Sequence, residues 1–391
     1  MHPYYPNLLS PYKIGDIVLR NRMIVSPNNM HYIQGPEPFP SEGTIMNYAN
    51  RAKGGAALVT VKTLNPAFSA YKKTERRADG GIEFDIFDAR NQHYVAQLVE
   101  SIHFYGAKAS MLLVPSVPPE FECSDGVASI EVAGTGGISK VGREIPEDEM
   151  MKIIEQYRLQ AEIAKICGFD GVFLHMAYRL MLPAKFLSPL SNKRTDKYGG
   201  PIENRARFPL MIAEAIKKEC GQNFIIEAAI TGEDPKGMGG FTLDDACSFA
   251  KLAEGKIDLL QMRSPDIETA HTTGYCPEET PFEYMAEAVK DSGARIGVST
   301  VSGYLDPAHM EEVIASGKAD LIAMARGWIA NAGTYGKKVY EHRPQDIVPC
   351  LRCNKCLATS SASPDIDVCS VNPEWGLEHK LDKLIVPVES K

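Results

Sequence analysis

The sequence predicts an α/β protein built as a (β/α)8 TIM barrel, with a short N-terminal capping hairpin and a C-terminal extension that carries cysteines. Eight short, apolar, β-rich runs recur along the 391 residues, and stretches of helical periodicity separate several of them. Parallel strands need helical crossovers that cover the sheet, so buried strands alternating with helices close naturally into a barrel. An open doubly wound sheet is the alternative. No G-x-G-x-x-G follows an early strand, which disfavours a dinucleotide-binding sheet of that kind.

Along the chain, Leu9–Val18 reads as a hairpin that caps the barrel floor. The strands follow at Met23–Pro27, Ala56–Lys62, Lys108–Val114, Gly171–His175, Phe224–Ile230, Ile257–Met262, Ile296–Val301 and Leu321–Ala325. Amphipathic segments at Phe87–Tyr105, Glu147–Ile166, Glu203–Glu219, Leu243–Glu254, Pro281–Asp291 and Ala308–Ser316 supply crossover helices. Residues 1–344 make the barrel and residues 345–391 the extension. No internal repeat or low-complexity tract stands out.

Hydrophobic residues make up 44% of the chain and charged residues 24%, as in a water-soluble globular protein. A net charge of −8 argues against nucleic acid as the main partner. No apolar run reaches the length of a membrane span, and Met1-His-Pro-Tyr-Tyr lacks the basic and apolar regions of a signal peptide. Cys123, Cys167, Cys220, Cys247 and Cys276 are scattered, as expected of reduced intracellular thiols, so the cytoplasm is the expected location.

Cys350, Cys353, Cys356 and Cys369 are different, because they read C-x2-C-x2-C-x12-C. The first three lie too close together for relaxed disulfides but can converge as soft ligands on one metal centre. Structural zinc is the competing reading. Zinc sites usually come as two C-x2-C knuckles, whereas three tightly spaced cysteines with a distant fourth favour a 4Fe-4S cluster.

Barrel chemistry sits at the C-terminal ends of the strands. That rule selects Pro27, Asn28, Asn29 and Met30, then Lys62, Pro115, His175 with Tyr178 and Arg179, Ala229, Arg263, Ser302 with Gly303, and Ala325 with Arg326. The last two pairs occupy the usual barrel phosphate site, where small residues let backbone N–H groups approach and arginine adds a bidentate charge. A phosphorylated redox cofactor, FMN first, suits a phosphate site beside a cluster.

Leu9-Ser-Pro-Tyr-Lys-Ile-Gly and Leu19-Arg-Asn-Arg-Met resemble the opening of the Old Yellow Enzyme flavoprotein family. Arg51-Ala-Lys-Gly-Gly and Gly168-Phe-Asp-Gly-Val resemble the approaches to its second and fourth strands. The longest match is Phe186-Leu-Ser-Pro-Leu-Ser-Asn-Lys-Arg-Thr-Asp-Lys-Tyr-Gly-Gly, continuing through Glu203-Asn-Arg-Ala-Arg-Phe. With the cysteines, the chain is similar to the branch that holds 2,4-dienoyl-CoA reductase, 2-enoate reductase and trimethylamine dehydrogenase. The resemblance covers nearly the whole chain. It implies an FMN-dependent ene-reductase in which a 4Fe-4S cluster relays electrons to the flavin. Hydride from flavin N5 would then reach the β-carbon of an activated alkene: an enone, an enoate, an enoyl thioester or a bulky conjugated molecule. It also implies an electron-donor flavoprotein or further domain with FAD and NAD(P)H, and a homo-oligomer.

Several positions depart from the family pattern. The loop after the fourth strand reads His175-Met-Ala-Tyr178-Arg179-Leu180, with His175 matching the first of a histidine pair and Leu180 standing where the proton-donating tyrosine is expected. Tyr178 is therefore the expected proton or hydrogen-bond donor, and Arg179 the group that steadies a developing enolate or a substrate carboxylate. The blander alternative gives Tyr178 a packing role and Arg179 a salt bridge. Leu112 replaces a glutamine, and Ala229 replaces an arginine that places positive charge by the flavin pyrimidine; Lys62 is the candidate to replace that charge, with a plain surface lysine as the alternative, and Arg263 after the sixth strand would instead face flavin or substrate. His31, Tyr275 and Trp328 are weaker candidates, since single aromatics usually pack. An amine dehydrogenase, suggested by the cysteine spacing, and a flavin-less electron-transfer subunit, suggested by the losses at Leu112, Ala229 and Leu180, remain the alternatives.

Overall fold

The computed structural model describes residues 2–28, 37–62, 86–114, 144–179, 182–265, 282–356 and 369–380. Strands β1 (Tyr12–Ile14) and β2 (Ile17–Leu19) form an antiparallel hairpin. Eight parallel strands then close in chain order: β3 (Met23–Val25), β4 (Leu58–Val61), β5 (Lys108–Leu113), β6 (Gly171–Met176), β7 (Ile225–Thr231), β8 (Leu259–Arg263), β9 (Gly297–Val301) and β10 (Leu321–Met324). The seam is the pairing of β10 with β3, where Ile322 lies opposite Met23 and Met324 opposite Val25. All the expected strands form, most of them a residue or two shorter than the apolar runs that announce them.

Around the barrel lie α1 (Glu42–Lys53), α2 (Ala89–Phe104), α3 (Glu147–Ile166), α4 (Leu182–Leu187), α5 (Ile202–Arg205), α6 (Arg207–Cys220), α7 (Leu243–Leu252), α8 (Glu283–Asp291), α9 (Pro307–Ala315), α10 (Arg326–Ala330) and α11 (Tyr335–Tyr340). Polar side chains start several of them: Ser41, Asp88 and Asp306 accept backbone N–H groups of α1, α2 and α9, and Thr242 with Asp245 makes a capping box on α7. The segment expected as one helix from Glu203 breaks at Ala206 into α5 and α6. Helix α1 and the short α4, α10 and α11 add to the predicted set. Among the described residues no helix is long and apolar enough to cross a membrane.

The floor is held by a recurring aspartate. Asp170, Asp258 and Asp320 each stand just before an even-numbered strand, and each accepts the N–H of a residue on the preceding strand: Ala109 (2.9 Å), Ile226 (2.7 Å) and Val298 (2.9 Å). A lysine closes each carboxylate, Lys108 at 3.0 Å, Lys217 at 2.6 Å and Lys290 at 2.8 Å. Hairpin residues Ile14 and Leu19 pack on Ile24, Leu58, Ile225, Leu259 and Leu321, which plugs this end with apolar surface as expected.

Side chains alternate across a strand, so the barrel interior is built in layers. Above the apolar plug comes a polar layer of Ser26, Thr60, Ser110, Glu227, Gln261 and Ser299, all essentially inaccessible to solvent. Above that, toward the C-terminal ends, Leu112, Phe173, Ala177 and Ala229 form a small apolar cluster against Tyr178. The extension docks at this upper end. Asn331 exchanges two 2.8 Å hydrogen bonds with Val348, Asn372 Nδ2 donates to Ile329 O at 2.7 Å, and Trp375 packs with Ile329, Cys356 and Cys369.

Gly171 opens β6 with its Cα so close to β7 that a Cβ would lie 2.4 Å from Ile225 O. Backbone cannot yield there as a flexible side chain would. Gly171→Ala is expected to cost about 3 kcal/mol, the upper range for overpacking, in urea-denaturation measurements. A loss below about 0.5 kcal/mol would show that the strands separate more easily than this close approach implies.

Candidate active site at the barrel mouth

His175 lies in β6, and the chain then turns through Tyr178 and Arg179 with φ of 64° and 54°. Left-handed backbone at two successive non-glycine residues is costly and is found where the surrounding structure imposes it. Here Thr231 Oγ1 accepts the Tyr178 N–H at 2.8 Å, and Asp234 Oδ1 accepts Arg179 Nη1 at 2.7 Å. Asp234 is buried and also accepts the Ser188 hydroxyl and the Phe241 N–H. The Arg179 side chain is thus anchored to the wall of the mouth, while the Tyr178 ring sits 5.6 Å from that of His175.

His175 is partly exposed, yet its Nδ1 is enclosed and has no hydrogen-bond partner among the described residues. Desolvation, reinforced by the nearby Arg263 guanidinium, pushes its pKa down to about 3, so the ring is neutral at ordinary pH. Arg263 ends β8 and reaches over the centre of the mouth. Its Nη2 donates to Ser26 Oγ at 2.7 Å, and its Cζ lies 5.9 Å from the Phe173 ring centroid. In the layer below, burial pushes the Glu227 carboxyl up to about 7, opposed by Arg263, Gln261 and Thr60.

Other strand ends complete the rim. Asn28 Oδ1 accepts Arg51 Nη1 at 2.8 Å, and the Lys62 N–H donates to Tyr48 Oη at 2.8 Å. Pro27 precedes Asn28 in the same turn, whereas Asn29, Met30, His31, Pro115, Leu180 and Tyr275 lie outside the described residues. After β9, Ser302 and Gly303 both have positive φ, and Ala325 begins α10 directly ahead of Arg326. Trp328 is a packing residue: it is fully buried, donates Nε1–H to Ile24 O at 3.2 Å and packs edge-on against Tyr335.

The four cysteines of the extension line one pocket together with Arg326, Ile329, Asn354 and Val371. The Cys350 Sγ accepts the Arg352 N–H at 3.4 Å, and Cys353 Sγ lies 3.3 Å from Ser370 Oγ. Burial pushes the Cys356 thiol up to about 12, and the three neighbouring thiols add to the shift against the opposing charge of Arg326. Among the described residues no group of three or more His, Cys, Asp or Glu side chains is arranged to hold a single metal ion. Two arginines tie this pocket to the rim: Arg326 Nη1 donates to Asn354 Oδ1 at 2.8 Å, and Arg352 Nη2 donates to Gly303 O at 2.9 Å.

Asp234 and Glu227 are not among the residues expected from the sequence, and Arg51 enters there only within its Arg51-Ala-Lys-Gly-Gly motif. The signal for Glu227 was a charged residue inside the apolar run Phe224–Ile230, at an inward position of a barrel strand. Asp234 lies beyond the end of its strand, and nothing local marks it.

Residues 7–346 match the model of the NADH:flavin oxidoreductase / NADH oxidase family, and the chain belongs to that family. It is 31% identical over 386 residues to an NADH oxidase of Thermoanaerobacter brockii, covering 96% of this chain and 57% of the relative. It is 26% identical to a cinnamate reductase of Clostridium sporogenes, covering 97% of this chain and 59% of that protein. A solved 2-naphthoyl-CoA reductase complex superposes with a TM-score of 0.83 at 25% identity, covering 99% of this chain and 60% of the other. The chain therefore spans somewhat more than half the length of these relatives.

Asp234→Ala would leave Arg179, Ser188 and the Phe241 N–H without their common acceptor. It is expected to lower stability by about 3 kcal/mol, as when a buried ion pair loses one partner, with Asp234→Asn costing less because it keeps an accepting oxygen. Denaturant midpoints of the two variants test this, and equal losses would show that hydrogen bonding contributes little beyond charge.

Proposed function

We propose that this chain binds FMN at the barrel mouth and a 4Fe-4S cluster in the cysteine pocket, and that it reduces an activated C=C bond. The observation that carries the reading is the attachment of the cysteine pocket to the rim through Arg326–Asn354 and Arg352–Gly303. Groups that must exchange electrons need to be held close and rigidly, and these two bonds would serve that need from both partners of the expected phosphate site. When bound, FMN supplies hydride transfer and the cluster supplies single electrons.

The residues fit both groups. The phosphate end would rest on Ser302, Gly303, Ala325 and Arg326, and the ring on Pro27, Asn28, Lys62 and Arg263; the sequence adds Asn29 and Met30, which lie outside the described residues. Arg263 offers a guanidinium to an electron-rich edge, and its buried Nε lacks a partner among the described residues. Cys350, Cys353, Cys356 and Cys369 are soft donors around one cavity, and their C-x2-C-x2-C-x12-C spacing favours a multi-metal cluster over structural zinc.

Tyr178 is the proton donor in this reading, its hydroxyl carried on a strained turn beside the neutral His175. His175 offers a neutral ring to a substrate carbonyl, and Arg179, steadied by Asp234, faces a substrate anion or developing enolate. The substrate class is an activated alkene: an enone, enoate, enoyl thioester or bulky conjugated molecule. The names of the cinnamate and naphthoyl-CoA reductases support that class. Electrons would come from NAD(P)H through an FAD-bearing partner or domain.

The test is to reduce the anaerobic protein, mix it with a panel of activated alkenes and follow flavin reoxidation with analysis of the product. Reoxidation with formation of the saturated product is expected, slowed about 100-fold in Tyr178→Phe at unchanged flavin content. Inert alkenes, with amines instead reducing the oxidised protein, would replace this reading by an amine dehydrogenase. Near-normal turnover in both Tyr178→Phe and Arg179→Ala would remove those residues from the mechanism.

A further inference from the structure

One hydrogen-bond chain runs from the mouth into the polar layer and across it. Arg263 Nη2 donates to Ser26 Oγ (2.7 Å), Ser26 Oγ donates to Gln261 Oε1 (3.1 Å), and Gln261 Nε2 donates to Glu227 Oε1 (2.8 Å). Its direction is fixed by chemistry. A guanidinium has only donors, so the Ser26 oxygen must accept from it and turn its own proton to Gln261. The Gln261 amide is thereby oriented, and its N–H group must meet an acceptor, which Glu227 provides. The other carboxyl oxygen, Oε2, lies 3.5 Å from Thr60 Oγ1.

We infer that Arg263, Ser26, Gln261 and Glu227 form a charge-balancing chain in which the guanidinium presents positive charge to the flavin ring and Glu227, a positioning residue, sets how much of it the ring feels. This rests on the flavin reading above. The chain survives either protonation state of Glu227. Oε1 accepts from Gln261 in both, and a proton on Oε2 points to Thr60. Only the charge changes. An ionised Glu227 offsets Arg263 and weakens the preference for the reduced, more anionic ring; a protonated Glu227 leaves Arg263 uncompensated and strengthens that preference.

Among the described residues, Arg263 is the charged group that acts on Glu227, and neutral hydrogen-bonding groups surround it. Thr60 faces it from β4 and Gln261 from β8, the charge of Arg263 on β8 reaches it, and His175 on β6 is coupled to the same guanidinium but stays neutral. Buried as it is, the carboxyl changes state near neutral pH rather than in the acid range. Glu227→Gln keeps an oxygen for Gln261 and an N–H for Thr60, so it mimics the protonated state at every pH.

The experiment measures the midpoint potential of bound FMN against free FMN, which reports the ratio of affinities for reduced and oxidised flavin. In Glu227→Gln that ratio should exceed the wild-type value by roughly tenfold at about pH 8 and differ by less than about twofold at about pH 6. In Arg263→Met it should fall by roughly tenfold at about pH 6, where no carboxylate offsets the wild-type guanidinium. An equal shift at both pH values in Glu227→Gln, or none at either, overturns the inference and leaves FMN binding intact. An unchanged ratio in Arg263→Met overturns it independently, should the Glu227 variant fail to fold. A wild-type protein that takes up no FMN would overturn the flavin reading itself.

Discussion

A guanidinium at the mouth of a closed barrel, answered by a carboxyl in the layer beneath, is the constraint around which the upper half of this molecule is arranged. Burial makes an ionised carboxyl costly there, and Arg263 opposes that cost. Ser26 and Gln261 connect the two groups through an unbroken series of donors and acceptors. Burial, reinforced by the same guanidinium, keeps His175 neutral, and the guanidinium also lies against Phe173 on the same strand.

The two ends of the barrel solve different problems. At the floor, aspartates 170, 258 and 320 are each satisfied by a backbone N–H and a lysine, and the hairpin seals the interior with aliphatic side chains. Each of these three carboxylates has its partners, as suits a structural end. At the mouth, the Nδ1 of His175 and Nε of Arg263 lack partners among the described residues, and the backbone at Tyr178, Arg179 and Ser302 is held in the left-handed region. Unspent hydrogen-bonding capacity and imposed strain gather at the end where the cysteine extension is bolted on, which is where ligands of this fold bind.

Much of this was legible in the sequence because its signals are local. Strands such as Lys108–Leu113 and Ile225–Thr231 are short apolar runs, and the strand-end rule pointed to His175, Tyr178, Arg263 and Arg326 without knowledge of their contacts. What escaped depended on geometry across the barrel. The partner of Arg263 is a serine just after β3, far away in the chain, and the partner of Arg179 is an aspartate contributed by the next strand's loop. The aspartate that precedes β6, β8 and β10 recurs in Phe169-Asp-Gly, Ile257-Asp-Leu and Ala319-Asp-Leu, yet a single residue at irregular spacing does not register as a repeat. Arg51 enters the sequence reading only through the Arg51-Ala-Lys-Gly-Gly motif, yet it is buried against Tyr48 and Asn28 in α1, whose Asn47 donates to Glu378 of the extension.

The claim on which the rest depends is that one barrel end carries both a flavin and a cluster, and composition of the isolated protein tests it most directly. Purified without oxygen, with its visible spectrum recorded, the protein is expected to yield about one FMN and about four each of iron and acid-labile sulfide per chain. Iron and sulfide without flavin, even after incubation with added FMN, would contradict the assignment of the mouth and leave a barrel whose cluster serves electron transfer alone.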